Sequence, residues 1–525
     1  MVKKNMAQVS NNQLQNSGFT SGEKVEQFAD DIKVPARGGL FGWVGPLLLA
    51  VFATLLRLPG LGFPKALVFD ETYYAKDALS LLNFGYEHQM VDGADAKLLA
   101  SDGQNYLGIF KPDASYIVHP PLGKWIIAIG ENFFGATPFG WRIAVCVLGI
   151  LSVVLTARIA RRLTNSNLIG NVAGFLLALD GLHIAMSRTA LLDTTLSFFV
   201  LCAFGCLILD RDFVRDRMRD HLTIGIRWWR WAMALSLGLA IATKWSGAYF
   251  AVAFWILMLF WDFQVRREFN QPNHVKTWAL QDVLTALLLP VVVLVTYFAS
   301  WFGWFNSTDA WNRNWAETNG SGILPKALQS LLHYHNEMLS FHTNLTSAHS
   351  YQANPWGWPL MIRPTSFFYA SEQTCGAVTC AQEVMPLGNP LIWWGGALAL
   401  LFMLTLAILR KNSAALPIVV GFAAGWVPWL FFQNRTVFNF YSVVFVPFTV
   451  IALAIALNYL NGSIVKSLRQ RASSKKWEEV INKFWPLIIA LAAIALLAWY
   501  FYPIYVGQSL PYNEWHQRMW FKSWI

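Results

Sequence analysis

Long apolar runs separated by short polar connections dominate the chain between residues 42 and 502. Runs of spanning length lie near 42–58, 141–157, 168–184, 190–209, 231–249, 250–263, 282–302, 389–409, 415–432, 438–458 and 484–502. A helix needs about 20 predominantly apolar residues to cross a bilayer, so the pattern predicts an all-α integral membrane protein with about eleven transmembrane helices. Two connections are long, about 59–138 and 303–388. The first contains FDETYYAKDALSLL, whose apolar residues recur at helical spacing and suit a helix lying along the membrane surface. The second is rich in His, Trp, Asn and Pro. Aromatic-rich connections of this length point to ordered, functional loops. No internal repeat of the inverted-repeat transporter kind is visible.

Composition removes the soluble alternative. Hydrophobic residues make up 55% of the 525 and charged residues only 13%, too few to cover a water-facing surface of this size. The 26 Trp fit headgroup-level anchoring. A net charge of +10 would suit a nucleic-acid partner if the basic residues formed one patch. They form short clusters beside apolar runs instead. With the N-terminus inside, Arg158/Arg161/Arg162, the block from Arg211 to Arg230, Arg266/Arg267, Arg410/Lys411 and Lys466 to Lys476 all fall on the cytoplasmic side. That is the positive-inside distribution, and it sets nucleic acid aside. Residues 1–38 then form a disordered cytoplasmic tail with no signal-peptide pattern, 39–502 the membrane domain, and 503–525 an extracytoplasmic C-terminal tail. Cys146, Cys202 and Cys206 fall in predicted spans as packing residues. Cys375 and Cys380 share the second outer loop, where an oxidising exterior permits a disulfide; a free pair is the alternative.

The candidate chemistry comes from charges set against this apolar background. Arg57, Arg142, Arg188, Lys244 and Arg435 lie in or beside spans, and the assigned topology brings all five near the outer face. A cation near lipid is costly without a partner. The nearby acids Asp70, Glu71, Asp180 and Asp193 are fewer, which leaves room for an anionic ligand such as a lipid phosphate gripped by arginine forks. Any one of these cations reads equally well as snorkelling or as a structural ion pair; the set on one face carries the expectation. His119 and Lys124 sit in HPPLGK, where Pro-Pro forces an extended or turn backbone, and both are candidates for contact with the same phosphate. Asp70-Glu71 is either a helix cap or, beside a cation cluster, a general base toward a hydroxyl acceptor. His333, His335, His342 and His349 lack metal-ligand spacing and read as solvated or hydrogen-bonding groups. No Gly-rich phosphate motif points to a nucleotide donor, which fits a lipid-linked one.

The segments FDETYYAKDA, HPPLGK, GWRIAVCVLG, SRTALLDTTLSFF and KWSGAYF resemble the protein O-mannosyltransferase family. YHNEMLSFHTNLTSAHSYQANPWGWPLMIRP and NRTVFNFYSVVFVPF are similar to its bacterial, actinobacterial-type members, and the matches run in order from about residue 57 to 450. The resemblance implies the GT-C membrane glycosyltransferase architecture. It also implies transfer of mannose from polyprenyl-phosphate mannose to Ser or Thr of secreted proteins, at the outer face of a bacterial plasma membrane. The family's acidic pair falls on Asp70 and Glu71, its arginine in the first span on Arg57, and its arginine opening the second on Arg142. The β-trefoil domain of the eukaryotic branch has no room in 303–388. The expected mechanism gives Asp70 the proton of the acceptor hydroxyl, while Glu71 orients the acceptor or a cation. Arg142 holds the phosphate with Arg188, Lys244 or Arg435, helped by His119, Lys124 and Asp193, and Arg57 pairs with one of the acids. No cofactor is required, and a divalent metal is left open. Expected partners are the donor lipid, secreted acceptor proteins, membrane lipids and the Sec translocon. Two alternatives stand beside this reading. One is a related GT-C enzyme acting on a lipid or cell-wall glycan. The other is a lipid-linked sugar transporter, which would need polar residues deep along several spans; here the polar groups favour one face.

Overall fold

The first apolar run becomes helix α1 (Phe41–Arg57) of a largely helical computed structural model, which describes residues 41–220, 224–371, 374–410, 412–471 and 484–525. The tail expected over 1–38 lies outside these residues. The first long connection is ordered throughout. Helix α2 (Glu71–Phe84) starts at Asp70 and stops at Gly85, whose φ of 83° is a left-handed value that glycine adopts without steric cost. Strand β1 (His88–Met90) pairs antiparallel with β2 (Phe110–Ala114) around a short helix α3 (Ala94–Ala100). The HPPLGK turn then feeds α4 (Leu122–Phe134), which buries Ile127 and Ala128 and leaves Ile129, Phe133 and Phe134 exposed.

The membrane portion follows as α5 (Pro138–Thr164), α6 (Asn167–Leu179), α7 (Gly181–Ser187), α8 (Leu192–Arg219), α9 (Trp228–Thr243), α10 (Gly247–Glu268) and α11 (His274–Ser300). After the second long connection, with α12 (Lys326–Asn344), β3 (Phe368–Ala370) and β4 (Cys380–Val384), come α13 (Pro390–Leu409), α14 (Ala415–Trp426), α15 (Val446–Arg471) and α16 (Trp485–Val506). Among the described residues, seven helices are long and apolar enough to cross a membrane, or eight if the bent pair α6–α7 is one span. The eleven runs all become helical. The lower figure arises because α1, α9 and α14 have 17, 16 and 12 residues, short of the length a span ordinarily needs.

The run at 168–184 is broken rather than continuous. Asp180 takes an extended conformation, and its carboxylate accepts from the His183 N–H (2.9 Å) and the Trp393 indole (2.7 Å), starting α7 at 64° to α6. The C-terminal region also departs from expectation. It is no separate tail from 503: α16 runs to Val506, and Ser509–Pro511 (β5) adds to β4 to give the sheet β3-β4-β5. Helix α17 (Tyr512–Arg518) buries Trp515, whose indole donates to Glu383 at 2.6 Å. Trp524, also buried, donates to the Met361 carbonyl at 3.0 Å. Cys375 and Cys380 form a disulfide in the turn leading into β4, with Cα atoms 5.9 Å apart.

Ion pairs clasp the antiparallel pair α8 and α9 at both ends. Lys244 bonds Asp193 at one end. At the other, Arg227, Arg230 and Arg266 interlock with Asp210, Asp262 and Asp282, all six buried. Asp193 and Asp210 lie about 25 Å apart along α8.

Candidate active site

Asp70 and Glu71 are adjacent in sequence and opposite in environment. Glu71 is fully buried, and Arg142 grips it through two bonds, Nε to Oε1 at 2.8 Å and Nη2 to Oε2 at 2.7 Å. The Val68 and Ala190 N–H groups complete its shell at 2.9 and 2.8 Å. Arg142 spends its other donors on the carbonyls of Leu61, Pro64 and Ala66. This is a closed structural unit. Asp70 is half-buried, accepts no bond from the helix it begins, and forms no ion pair among the described residues. Burial raises its carboxyl to about 6, Lys244 opposes the rise, and Asp193 adds to it.

Around Asp70 the fold assembles residues from five segments. Lys244 ends α9 in extended backbone and bonds both oxygens of Asp193, in the first turn of α8, at 2.8 and 3.1 Å. Its ammonium lies 4.0 Å from the centre of the Tyr441 ring. Two of its three donors serve Asp193, leaving one for a ligand. Tyr74, one helical turn after Asp70, faces His119 across 6.3 Å, and His119 stacks on His342 at 5.1 Å. His342 donates from Nε2 to the Val118 carbonyl (2.6 Å) and accepts at Nδ1 from Arg435 (3.1 Å), which fixes the neutral tautomer. Burial lowers His342 to about 4, and the Arg435 and Lys244 charges add to the effect. His119 is pushed well below its ordinary value by burial and by the Lys244 charge. Arg435 also donates to the His342 carbonyl and packs on Trp429 at 5.7 Å. Its Nη1 and the His119 Nδ1 are buried and have no partner. A cleft lined by Asp193, Tyr249, Phe250, Trp429 and Tyr441 adjoins these groups. Buried polar atoms are rarely left unsatisfied, and two of them beside a cation and a cleft mark a place for a polar, anion-bearing ligand.

The structure therefore divides the expected phosphate ligands. Arg435, Lys244, His119 and Asp193 come together near Asp70. Arg57 pairs with neither acid: it is buried and donates to the Leu177 and Ala178 carbonyls and to His183, capping the C-terminal end of α6. Arg188 caps α1 in the same way, through the carbonyls of Arg57, Pro59 and Gly60. Lys124 is held between Glu87 (2.8 Å) and Asp77 (3.3 Å). For Arg57, Arg142, Arg188 and Lys124 the cause is the same. A cation buried away from water takes the oxygens in reach: helix-end carbonyls for Arg57 and Arg188, a carboxylate and connection carbonyls for Arg142, and two carboxylates for Lys124. Glu71, with four bonds, orients a cation, Arg142, one of the two roles expected of it. Sequence reasoning passed over Tyr74, Tyr441 and the site role of His342. Tyr74 carried a signal, its position four residues after Asp70; nothing local links residues 342 or 441 to residue 70.

Two family models match the chain in succession. The family described as dolichyl-phosphate-mannose-protein mannosyltransferase matches residues 47–305, and the C-terminal four-TMM region of protein-O-mannosyltransferase matches residues 327–524. The chain is 33% identical to the polyprenol-phosphate-mannose–protein mannosyltransferase of Mycolicibacterium smegmatis, over 92% of this chain and 93% of that one. It is 34% identical to the Mycobacterium tuberculosis protein of the same name, over 92% of each. Its fold is similar to the Saccharomyces cerevisiae protein O-mannosyltransferase Pmt1–Pmt2 complex bound to the sugar donor, with a TM-score of 0.68, 15% identity and 94% of each chain covered. ArnT from Cupriavidus metallidurans, bound to undecaprenyl phosphate, gives a TM-score of 0.52 at 15% identity over 89% of this chain and 77% of that one. These likenesses place the fold among the GT-C glycosyltransferases.

Proposed function

The chain belongs to the protein O-mannosyltransferase family, and on that premise we propose that it transfers mannose from polyprenyl-phosphate mannose to Ser or Thr hydroxyls of secreted proteins, with Asp70 as the base. The observation that carries the reading is an unengaged carboxylate, Asp70, facing Lys244 beside a buried Arg435 nitrogen with no partner. Arg435, the spare donor of Lys244, and His119 bind the donor phosphate. Asp70 accepts the proton of the acceptor hydroxyl as its oxygen attacks the anomeric carbon. The bond from that carbon to the phosphate oxygen breaks with its electron pair leaving on the phosphate, where the fixed cations meet the developing charge. A single displacement from the opposite face inverts the anomeric configuration. A carboxyl raised to about 6 is a stronger base than an ordinary carboxylate and is still ionised at neutral pH. The Glu71–Arg142 unit holds the turn that carries Asp70. The phosphate is neutralised by side chains, so a metal is not needed for this step.

We place this site on the outer face of a bacterial plasma membrane, with the N-terminus inside and the protein acceptor arriving from the translocon. The basic loops support that orientation. The decisive assay incubates membranes with labelled polyprenyl-phosphate mannose and a Thr-containing peptide. Wild type labels the peptide. Asp70→Asn binds donor normally but loses transfer by about 10²- to 10⁴-fold. Wild-type transfer by that variant removes Asp70 as the base, and label appearing only in lipid or glycan redirects the acceptor class.

A further inference from the structure

Phe69, immediately before Asp70, has a φ of 51°. This left-handed region is uncommon for any side chain and a true outlier for a bulky one. The Glu71 N–H donates to the Val68 carbonyl at 3.0 Å, closing a turn in which Phe69 and Asp70 are the two central residues. Positive φ at the first central position ordinarily selects Gly, Asn or Asp. A phenylalanine persists there only if its surroundings over-determine the conformation, and such outliers cluster at functional sites.

The surroundings are aromatic and come from distant parts of the chain. Phe367, just ahead of β3, stacks on Phe69 at 4.8 Å with planes 15° apart. Phe438 and Phe440, from the segment preceding α15, meet it edge-on at 5.7 and 5.5 Å. His349 adds an edge contact at 6.2 Å. On the other side of Asp70, Glu71 is locked by Arg142. The carboxylate of Asp70 is thus free to react, while the backbone on both sides of it is fixed.

We propose that Phe69 is a positioning residue, whose ring, gripped by Phe367, Phe438 and Phe440, holds the left-handed turn and so aims the Asp70 carboxylate into the cleft. The inference rests on the reading of Asp70 as the base. It differs from plain core packing in what it predicts. A packing residue changes how much enzyme folds, whereas a positioning residue changes what each folded molecule does.

The test uses purified full-length enzyme, with rates normalised to donor-binding sites. Phe69→Gly tolerates the φ but removes the ring. Its kcat is expected to fall by about 10- to 100-fold, the scale set by a misplaced catalytic group, with KM for polyprenyl-phosphate mannose within about twofold. The acid limb of kcat against pH, set by Asp70, should also move down toward the ordinary carboxylate range as water reaches the group. The charged and titrating neighbours facing Asp70 are Lys244 from α9, Asp193 from α8 and Tyr74 from its own helix; none is touched by the substitution. Phe440→Ala, which weakens the grip and leaves Phe69 in place, should reproduce both effects. Phe69→Tyr, which keeps the ring, should restore most of the rate and the limb. Wild-type kcat in Phe69→Gly, or a lower kcat with the limb unmoved, overturns the proposal. If Phe69→Gly yields no donor-binding protein, Phe440→Ala against Phe69→Tyr decides by the same criteria. An active Asp70→Asn enzyme would fail the base assignment instead, so the two failures are distinguishable.

Discussion

Two carboxylates one residue apart meet different fates because one is saturated and the other is not. Glu71 has four donors on its two oxygens; Asp70 has none from the helix it begins. The pH dependence should follow Asp70 alone. Burial raises the acid, so protonation removes the base below about 6. The rate constant kcat should therefore climb with unit slope as pH rises through that value and level off above it. A profile that is flat between about pH 5 and 7 would contradict the assignment. Arg435 carries the complementary prediction. Its unpartnered Nη1 is suited to a charge-assisted bond with the donor phosphate, so Arg435→Ala should weaken donor binding by about 10- to 100-fold, measured with labelled polyprenyl-phosphate mannose. Unchanged affinity would take Arg435 out of the phosphate site.

The elements are fastened by cations that sequence reasoning had assigned to the ligand. Arg142 on α5 binds Glu71 at the start of α2 and three carbonyls of the chain leading to it, so one side chain joins two helices and a turn. Removing one partner of a buried pair leaves the other uncompensated, at a cost of about 3–5 kcal/mol. Arg142→Ala should accordingly lower the thermal unfolding temperature of the detergent-solubilised enzyme, while donor affinity per surviving folded molecule is kept. Selective loss of donor affinity at wild-type stability would reverse that distinction. Glu383 offers a second, pH-linked fastening between β4 and α17. Burial raises it from the ordinary 4.5 to about 7, and the Trp515 indole donates to it. A carboxyl raised in the folded state contributes stability that is fully present at low pH and is lost as pH rises from its unfolded value through 7. Glu383→Gln should flatten the pH dependence of melting over that range; an unaltered dependence would show that another group sets it.

Across the whole molecule, the two ionic clasps of the α8–α9 pair are separated by roughly the thickness of a bilayer's hydrocarbon core. The six-residue cluster around Arg227 lies at the end carrying the basic connections, and the Lys244–Asp193 pair lies at the other, beside Asp70. If the basic end faces the cytoplasm, the first long connection is outside. A cysteine placed at exposed Leu107 should then react with a membrane-impermeant maleimide in intact cells, above the background of Cys146, Cys202 and Cys206. Labelling only after the cells are opened would invert the orientation and move the site to the cytoplasmic face.

Apolar periodicity alone made the membrane class and the helical nature of the eleven apolar runs legible, because lipid selects side chains directly and does so locally along the chain. The motifs around Asp70, His119, Lys244 and Arg435 were legible for a similar reason: charged residues against apolar neighbours stand out. Tertiary structure decided the rest. Whether a cation contacts ligand or caps a helix depends on which carbonyls fold against it, and for Arg57, Arg142 and Arg188 those oxygens lie outside the cation's own local segment. The bend at Asp180 and the docking of the C-terminal strand likewise depend on Trp393 and on β4, partners that local pattern cannot supply. The left-handed turn at Phe69 is held by rings almost 300 residues or more away in sequence, so only the folded chain reveals how Asp70 is aimed.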